Sequence, residues 1–107
     1  MNARARTLFY LGFNSYKEYL RSKLWRGIRQ RVFAAKGRQC VLCGCKAAQI
    51  HHRSYDRATL LGLILTFLEP ICKRCHEKIE FTETGRKRSR RAVEYAFKRR
   101  QRKKPAR

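Results

Sequence analysis

The sequence predicts a small α+β domain closed around a metal, and three observations carry that prediction. The chain has 107 residues, one compact unit near the size at which an apolar core alone is only marginally stable. Its five cysteines include two C-x-x-C pairs, Cys40 with Cys43 and Cys72 with Cys75. An odd count in that spacing points to metal ligation in a reducing compartment rather than to a disulfide framework. Helical periodicities flank two short strand-like runs that lie between and beside the cysteine pairs.

Taken in order, Met1 to Asn14 reads as a loosely held basic and aromatic arm. Ser15-Tyr16-Lys17-Glu18 has the form of a capping box, the Ser15 hydroxyl serving the first free N–H groups and Glu18 reaching back. Leu20, Leu24, Ile28 and Val32 recur every four residues with Trp25 and Phe33 beside them, the spacing of one buried helical stripe. Arg21, Lys23, Arg26, Arg29, Gln30 and Arg31 fall largely on the other side. Ser22 could cap a second segment, dividing the stretch into two helices, and Gly37 ends it.

Ala48 to His52 reads as a short strand, and Arg53 to Phe67 as a loop with an apolar second half that could pack on the N-terminal helix or on another subunit. Leu68 to Ile71 reads as a returning strand, which Pro70 makes short or places at an edge. Cys72 to Phe81 is a turn into a helix. From Gly85 to Arg107 there are 12 Lys or Arg against the single acid Glu94. A helix from about Ser89 to Arg102 is expected there, with Lys103 to Arg107 disordered until it meets phosphate.

Lys and Arg number 28 against 7 Asp and Glu, a formal charge of +21 with a pI near 11.0. Such a field attracts polyanions, nucleic acid first, through release of counterions from phosphates. An anionic membrane surface is the rival, because Tyr16 to Ala35 is partly a basic amphipathic helix. A bilayer-spanning role is excluded: the longest apolar stretch, Leu60 to Leu68, is broken by Gly62 and Thr66 and is far short of the roughly 20 residues required. Nor does the basic start have a cleavage site of the secretory kind.

Each C-x-x-C turn aims two thiolates at one point, so Cys40, Cys43, Cys72 and Cys75 form a closed tetrahedral shell for structural zinc. Cys45 is left over as a small buried or free thiol. The three histidines lie beside or between these pairs. His51 and His52 are adjacent on a strand, so their side chains point to opposite faces. One of them could ligate a metal while the other faces a substrate. His76 follows Cys75, and Glu80 lies one helical turn later on the same face. This makes His51, His76 and Glu80 a set for a hard divalent cation and leaves His52 free. The plainer alternative is that the histidines pack around the zinc, or that one replaces a cysteine as its ligand.

Together these residues resemble the HNH endonuclease family. The resemblance rests on Cys40-Val41-Leu42-Cys43, then Ile50-His51-His52-Arg53-Ser54-Tyr55, then Glu69-Pro70-Ile71-Cys72-Lys73-Arg74-Cys75-His76-Glu77-Lys78-Ile79-Glu80, and covers about Tyr16 to Phe81. It implies a zinc-stabilised ββα-metal core with an N-terminal helix and a basic C-terminal helix and tail. The implied divisions are an arm over 1–14, a nuclease domain over 15–84 and a basic extension over 85–107. It implies His52 as general base, with His51, His76 and Glu80 holding a catalytic magnesium or manganese ion. The reaction expected is hydrolysis of a phosphodiester, leaving a 5′-phosphate and a 3′-hydroxyl, with DNA the partner ahead of RNA. Arg53, Lys73, Arg74, Arg86, Lys87 and Arg88 are candidate phosphate contacts. So are Arg90, Arg91, Lys98, Arg99 and Arg100. A cytoplasmic setting in a prokaryote or phage is expected.

Two positions depart from the family pattern. Its middle Asn, which braces the loop carrying the base, falls near Phe67, where neither Phe67 nor Thr66 is that residue; the Thr66 hydroxyl could substitute. Its last metal position is often His, where this chain has Glu80, itself a reasonable oxygen donor for magnesium. The alternative function is a non-catalytic zinc-containing nucleic-acid-binding module.

Overall fold

In the computed structural model, which describes residues 2–103, every helix begins at a side chain able to cap it. Asn2 Oδ1 accepts from the Ala5 amide (2.8 Å) and opens α1, Ala3–Tyr10. Ser15 Oγ accepts from Glu18 (3.0 Å) and opens α2, Tyr16–Leu20. Ser22 Oγ accepts from Trp25 (3.1 Å) and opens α3, Lys23–Lys36. The expected break at Ser22 is therefore real, and Gly37 ends α3 at φ 83°, a conformation that only glycine adopts without strain.

Beyond α3 come β1, Gln49–His52; α4, Arg57–Leu60, capped by Asp56; and β2, Leu68–Ile71. Then follow α5, Lys73–Glu80, capped by Cys72, and α6, Arg90–Arg102, capped by Ser89. A side-chain cap of this kind is worth about 1 kcal/mol. None of these helices is long and apolar enough to cross a membrane.

The two strands form one antiparallel sheet, with Gln49 opposite Ile71, Ile50 opposite Pro70, His51 opposite Glu69 and His52 opposite Leu68. This small sheet separates two apolar clusters. On one side Leu8, Tyr19, Trp25, Ile28, Val32, Phe33 and Leu60 gather around Ile50 and Leu68. On the other, Cys40, Leu42, Cys75, Ile79, Val93, Ala96 and Phe97 gather around Ile71. Alternation along β1 sends Ile50 and His52 to the first cluster and Gln49 and His51 to the second. The molecule is thus a mixed domain of helices and one two-stranded sheet, compatible with a zinc-binding α+β fold.

Three stretches differ from their sequence reading. Residues 3–10 are a helix rather than a loose arm, because Leu8 is wholly buried and the Arg4 guanidinium stacks over Tyr16 (4.6 Å) and Tyr55 (5.1 Å). The basic C-terminal stretch gives Val93, Ala96 and Phe97 to the second cluster, so α6 is part of the core rather than an appendage. The loop after β1 contains α4, and Leu60 and Leu65 pack on the helical layer while Leu63 is exposed. Gly62 lies so close to α3 that a Cβ there would collide with Ile28 and Arg31. The tail expectation for 104–107 lies outside the described residues.

Candidate functional site

Two ligand clusters lie side by side along β1 and the start of α5. The first is built from the two cysteine turns. Gly44, at φ 81°, lets the chain fold back so that its amide donates to the Cys40 carbonyl (2.8 Å). On the other segment Cys72 is the residue from which α5 starts, and its sulfur accepts from the Cys75 amide at 3.4 Å. The Sγ atoms of Cys40, Cys43, Cys72 and Cys75 all lie within 4.8 Å of one another, and Cys43 and Cys72 are 3.7 Å apart.

A tetrahedron of thiolates about zinc at 2.3 Å has edges of roughly 3.8 Å. The four thiols could therefore hold a structural metal ion such as zinc. The Cys45 amide lowers the Cys43 thiol to about 6, against burial, which favours the thiolate a metal needs. Burial pushes the Cys75 thiol up. Cys45 is exposed and outside the set of four.

The second cluster is His51, His76 and Glu80, whose ligand atoms also lie within 4.8 Å of one another. Glu80 Oε1 is 3.7 Å from His51 Nδ1 and 3.6 Å from His76 Nε2. Gln49 Oε1 lies 2.7 Å from His76 Nδ1. With that oxygen accepting, Nδ1 carries the proton and Nε2 keeps a lone pair toward Glu80. Sequence reasoning missed Gln49; its signal is its place two residues before His51, on the same face of β1.

Both nitrogens of His51 are buried without a hydrogen-bond partner among the described residues. Such orphaned atoms beside a carboxylate are what a cation's ligands look like when only protein atoms are counted. Burial, with the nearby His76, lowers His51 to about 4, so its imidazole is neutral near pH 7 and available to a metal. Burial opposes ionisation of Glu80, but the neighbouring His76 and the Lys87 ammonium bring its carboxyl down to about 2. Lys87 forms an ion pair with Glu80 Oε2.

His52 points to the other face of β1. It is 3 % exposed, with Trp25 at 4.7 Å and Tyr55 stacked on it at 5.3 Å and 11°. The Tyr16 hydroxyl lies 3.0 Å from its Nδ1. Burial, then the neighbouring His51, lowers it to about 3. Both histidine environments open on one cavity of about 890 Å³, bordered by His51, His52, His76 and Glu80 and by a basic rim.

Of the cations nominated from sequence, Lys73, Lys87, Arg90 and Arg91 are on that rim. Arg53 borders it too, but its guanidinium is held by both oxygens of Glu94, each at 3.1 Å. Arg74 lies instead beside Cys43, Cys75, Lys78 and Arg100. Arg88 is half-buried, while Arg86, Lys98, Arg99 and Arg100 are exposed. Arg4 and Arg29 join the rim from α1 and α3. At the hairpin position where the family pattern has Asn, the Phe67 carbonyl accepts from the Arg53 amide at 2.8 Å, and Thr66 is exposed. Searched against known proteins, the chain matches no family model, no curated sequence and no solved structure, so what the site can do is written in its own side chains.

Proposed function

We propose that this chain is a metal-dependent endonuclease of the HNH type, with β1, β2 and α5 as a ββα-metal core, hydrolysing phosphodiester bonds in DNA. The observation that carries this reading is the pairing of an open donor set, His51, His76 and Glu80, with a separate neutral histidine, His52, on one basic-rimmed cavity. The donor set fits a divalent cation such as magnesium or manganese: one carboxylate, an unpartnered nitrogen of His51 and the Nε2 of His76 supply three donors and leave coordination positions open. When bound, that ion supplies charge stabilisation for the pentavalent phosphorus and the leaving oxygen.

The chain's own groups do the rest. Lys73, Arg90 and Arg91 hold the phosphate against the rim by charge, and Arg4 and Arg29 extend that hold across the other side. His52 takes a proton from the attacking water as its oxygen bonds to phosphorus. The bond to the 3′ oxygen breaks, and that oxygen takes a proton from solvent water to leave as the 3′-hydroxyl. The four cysteines hold structural zinc away from this chemistry, in a set with no open position.

A second reading, a non-catalytic zinc module that only binds nucleic acid, draws on two observations. Glu80 is already satisfied by Lys87, and His52 is nearly closed in by aromatic rings. Plasmid cleavage by purified protein, with magnesium or manganese against EDTA, separates the two. The nuclease should nick or linearise the plasmid only with metal, and His52→Ala should cut roughly 10²- to 10⁴-fold more slowly while binding DNA as before. A wild type that shifts the plasmid in a gel but never cuts it with any divalent ion would leave the binding module as the better account.

A further inference from the structure

His52 makes one side-chain hydrogen bond, and its partner comes from outside the hairpin and α5. The Tyr16 hydroxyl, on α2, lies 3.0 Å from His52 Nδ1 across 36 residues of sequence. Tyr16 is itself held in place: it stacks on Tyr19 at 6.0 Å and 17°, meets Tyr55 edge-on at 5.6 Å, and carries the Arg4 guanidinium on its ring. The His52 ring, packed against Trp25 and Tyr55, is not free to turn. Its Nε2 is buried and has no partner among the described residues.

A hydroxyl beside an imidazole nitrogen can donate or accept, and the two choices leave different things at Nε2. If Tyr16 donates to Nδ1, the ring proton must sit on Nε2, as a buried donor without an acceptor and with no basic lone pair. If Nδ1–H donates to the Tyr16 oxygen, Nε2 keeps its lone pair. The Tyr16 side chain is only half-buried, so its own proton remains free to turn to another acceptor. Unpaired buried N–H groups are the rarer defect in folded proteins, so the second arrangement is favoured.

We propose that Tyr16 is a positioning residue for His52: its hydroxyl accepts the Nδ1 proton, fixes the Nδ1–H tautomer and leaves Nε2 as the nitrogen that can take a proton. In this chain a tyrosine from α2 thereby does the bracing that Phe67, without a side-chain amide, does not do from the hairpin. The kinetic consequence rests on the nuclease reading, whereas the tautomer does not.

The test is a long-range ¹H–¹⁵N correlation spectrum of the full, zinc-loaded chain labelled at histidine, with His52 assigned by its loss in His52→Gln. The expected wild-type pattern for His52 is a protonated Nδ1 and an unprotonated Nε2. Tyr16→Phe keeps the ring and its stacking, and should move that pattern toward the Nε2–H form. In the same variant kcat for plasmid nicking should fall roughly 10- to 100-fold with KM unchanged, the usual size of losing a group that orients a catalytic histidine.

Tyr19→Phe is the control. It removes a buried hydroxyl that donates to the Leu60 carbonyl at 2.8 Å, and should lower the melting temperature without altering the His52 pattern. An Nε2–H tautomer in the wild type overturns the inference even if Tyr16→Phe fails to fold, as does an unchanged pattern in a folded Tyr16→Phe. A wild type with the expected tautomer that never cuts DNA upholds the positioning and overturns only the nuclease.

Discussion

The two ligand clusters are neighbours in sequence, since α5 presents Cys75 and His76 one after the other, yet they differ in every property that decides what a metal does. The cysteine set has four soft donors, spaced as the edges of a closed tetrahedron, with Cys40 and Cys75 in the second apolar cluster and Cys72 packed against it. The His51, His76 and Glu80 set has three harder donors, one of them already paired with Lys87, and borders a cavity rimmed with cations. A filled shell exchanges nothing with a substrate and can only stabilise; an open one stabilises little and can act. The difference teaches that one short helix can start at one donor set and end at another of the opposite kind.

That contrast is broken most forcefully by removing the metal that the four thiols could hold. Structural zinc in small modules contributes on the order of 10 kcal/mol, as much as the whole stability of an ordinary domain. Cys72→Ser is the cleanest variant, because serine can still cap α5 while losing the soft donor. It should abolish the cooperative thermal transition followed by circular dichroism, and a strong chelator should do the same to the wild type. Glu80→Gln should leave that transition in place and weaken only the binding of a second, harder cation, measured by calorimetry. A wild type that melts cooperatively after its zinc has been stripped would put the stability in the apolar clusters and dissolve the distinction.

Acid should separate the sets next. His51 and His52 are held near 4 and 3 by burial, against an ordinary value of 6.5. Between those values the unfolded chain binds more protons than the folded one, so stability rises with pH; it is complete above about 6.5 and lost as pH falls toward 4 and 3. Glu80, lowered to about 2, acts in the same direction but only below its ordinary 4.5. From about pH 6.5 to 4.5 the two histidines therefore dominate, with a combined loss on the order of 5 kcal/mol. Melting temperature against pH, with zinc content checked at each point, should show it. His52→Phe, which suits the aromatic surroundings, should flatten the slope. A flat wild-type profile with zinc retained would mean that water reaches both imidazoles.

What could be foreseen from sequence divides along a related line. The C-x-x-C turns, the capping serines and the buried Ile28 and Val32 with Trp25 and Phe33 beside them were legible because each is a pattern within one or two turns of chain. Leu20 of the same four-residue stripe is instead exposed on α2 and Leu24 only half-buried, because the chain breaks at Ser22. The opposite facing of His51 and His52 follows from strand alternation and was legible too. Residues 3–10 were not, since their helix is fixed by burial of Leu8 and stacking of Arg4, which are tertiary facts. The same holds for Arg53, nominated for phosphate but bound to Glu94 from 41 residues away, and for Tyr16 on His52. Side-chain partners that far apart leave no periodicity to read.

The smallest effect concerns the cations, and it asks whether the cavity rim and the outer face of α6 do different work. Lys98, Arg99 and Arg100 are exposed and do not border the cavity, whereas Arg90 and Arg91 do. Replacing the outer three with Gln should weaken binding uniformly across DNA sequences. It should also reduce the slope of log K against log salt by about 1 for each phosphate that is no longer neutralised, with kcat intact. Arg90→Gln with Arg91→Gln should lower kcat as well, because a phosphate held loosely at the rim is not aligned with His52. If both variants change only the salt slope, the rim holds DNA no differently from the rest of the surface, and alignment must come from the metal ligands and His52 alone.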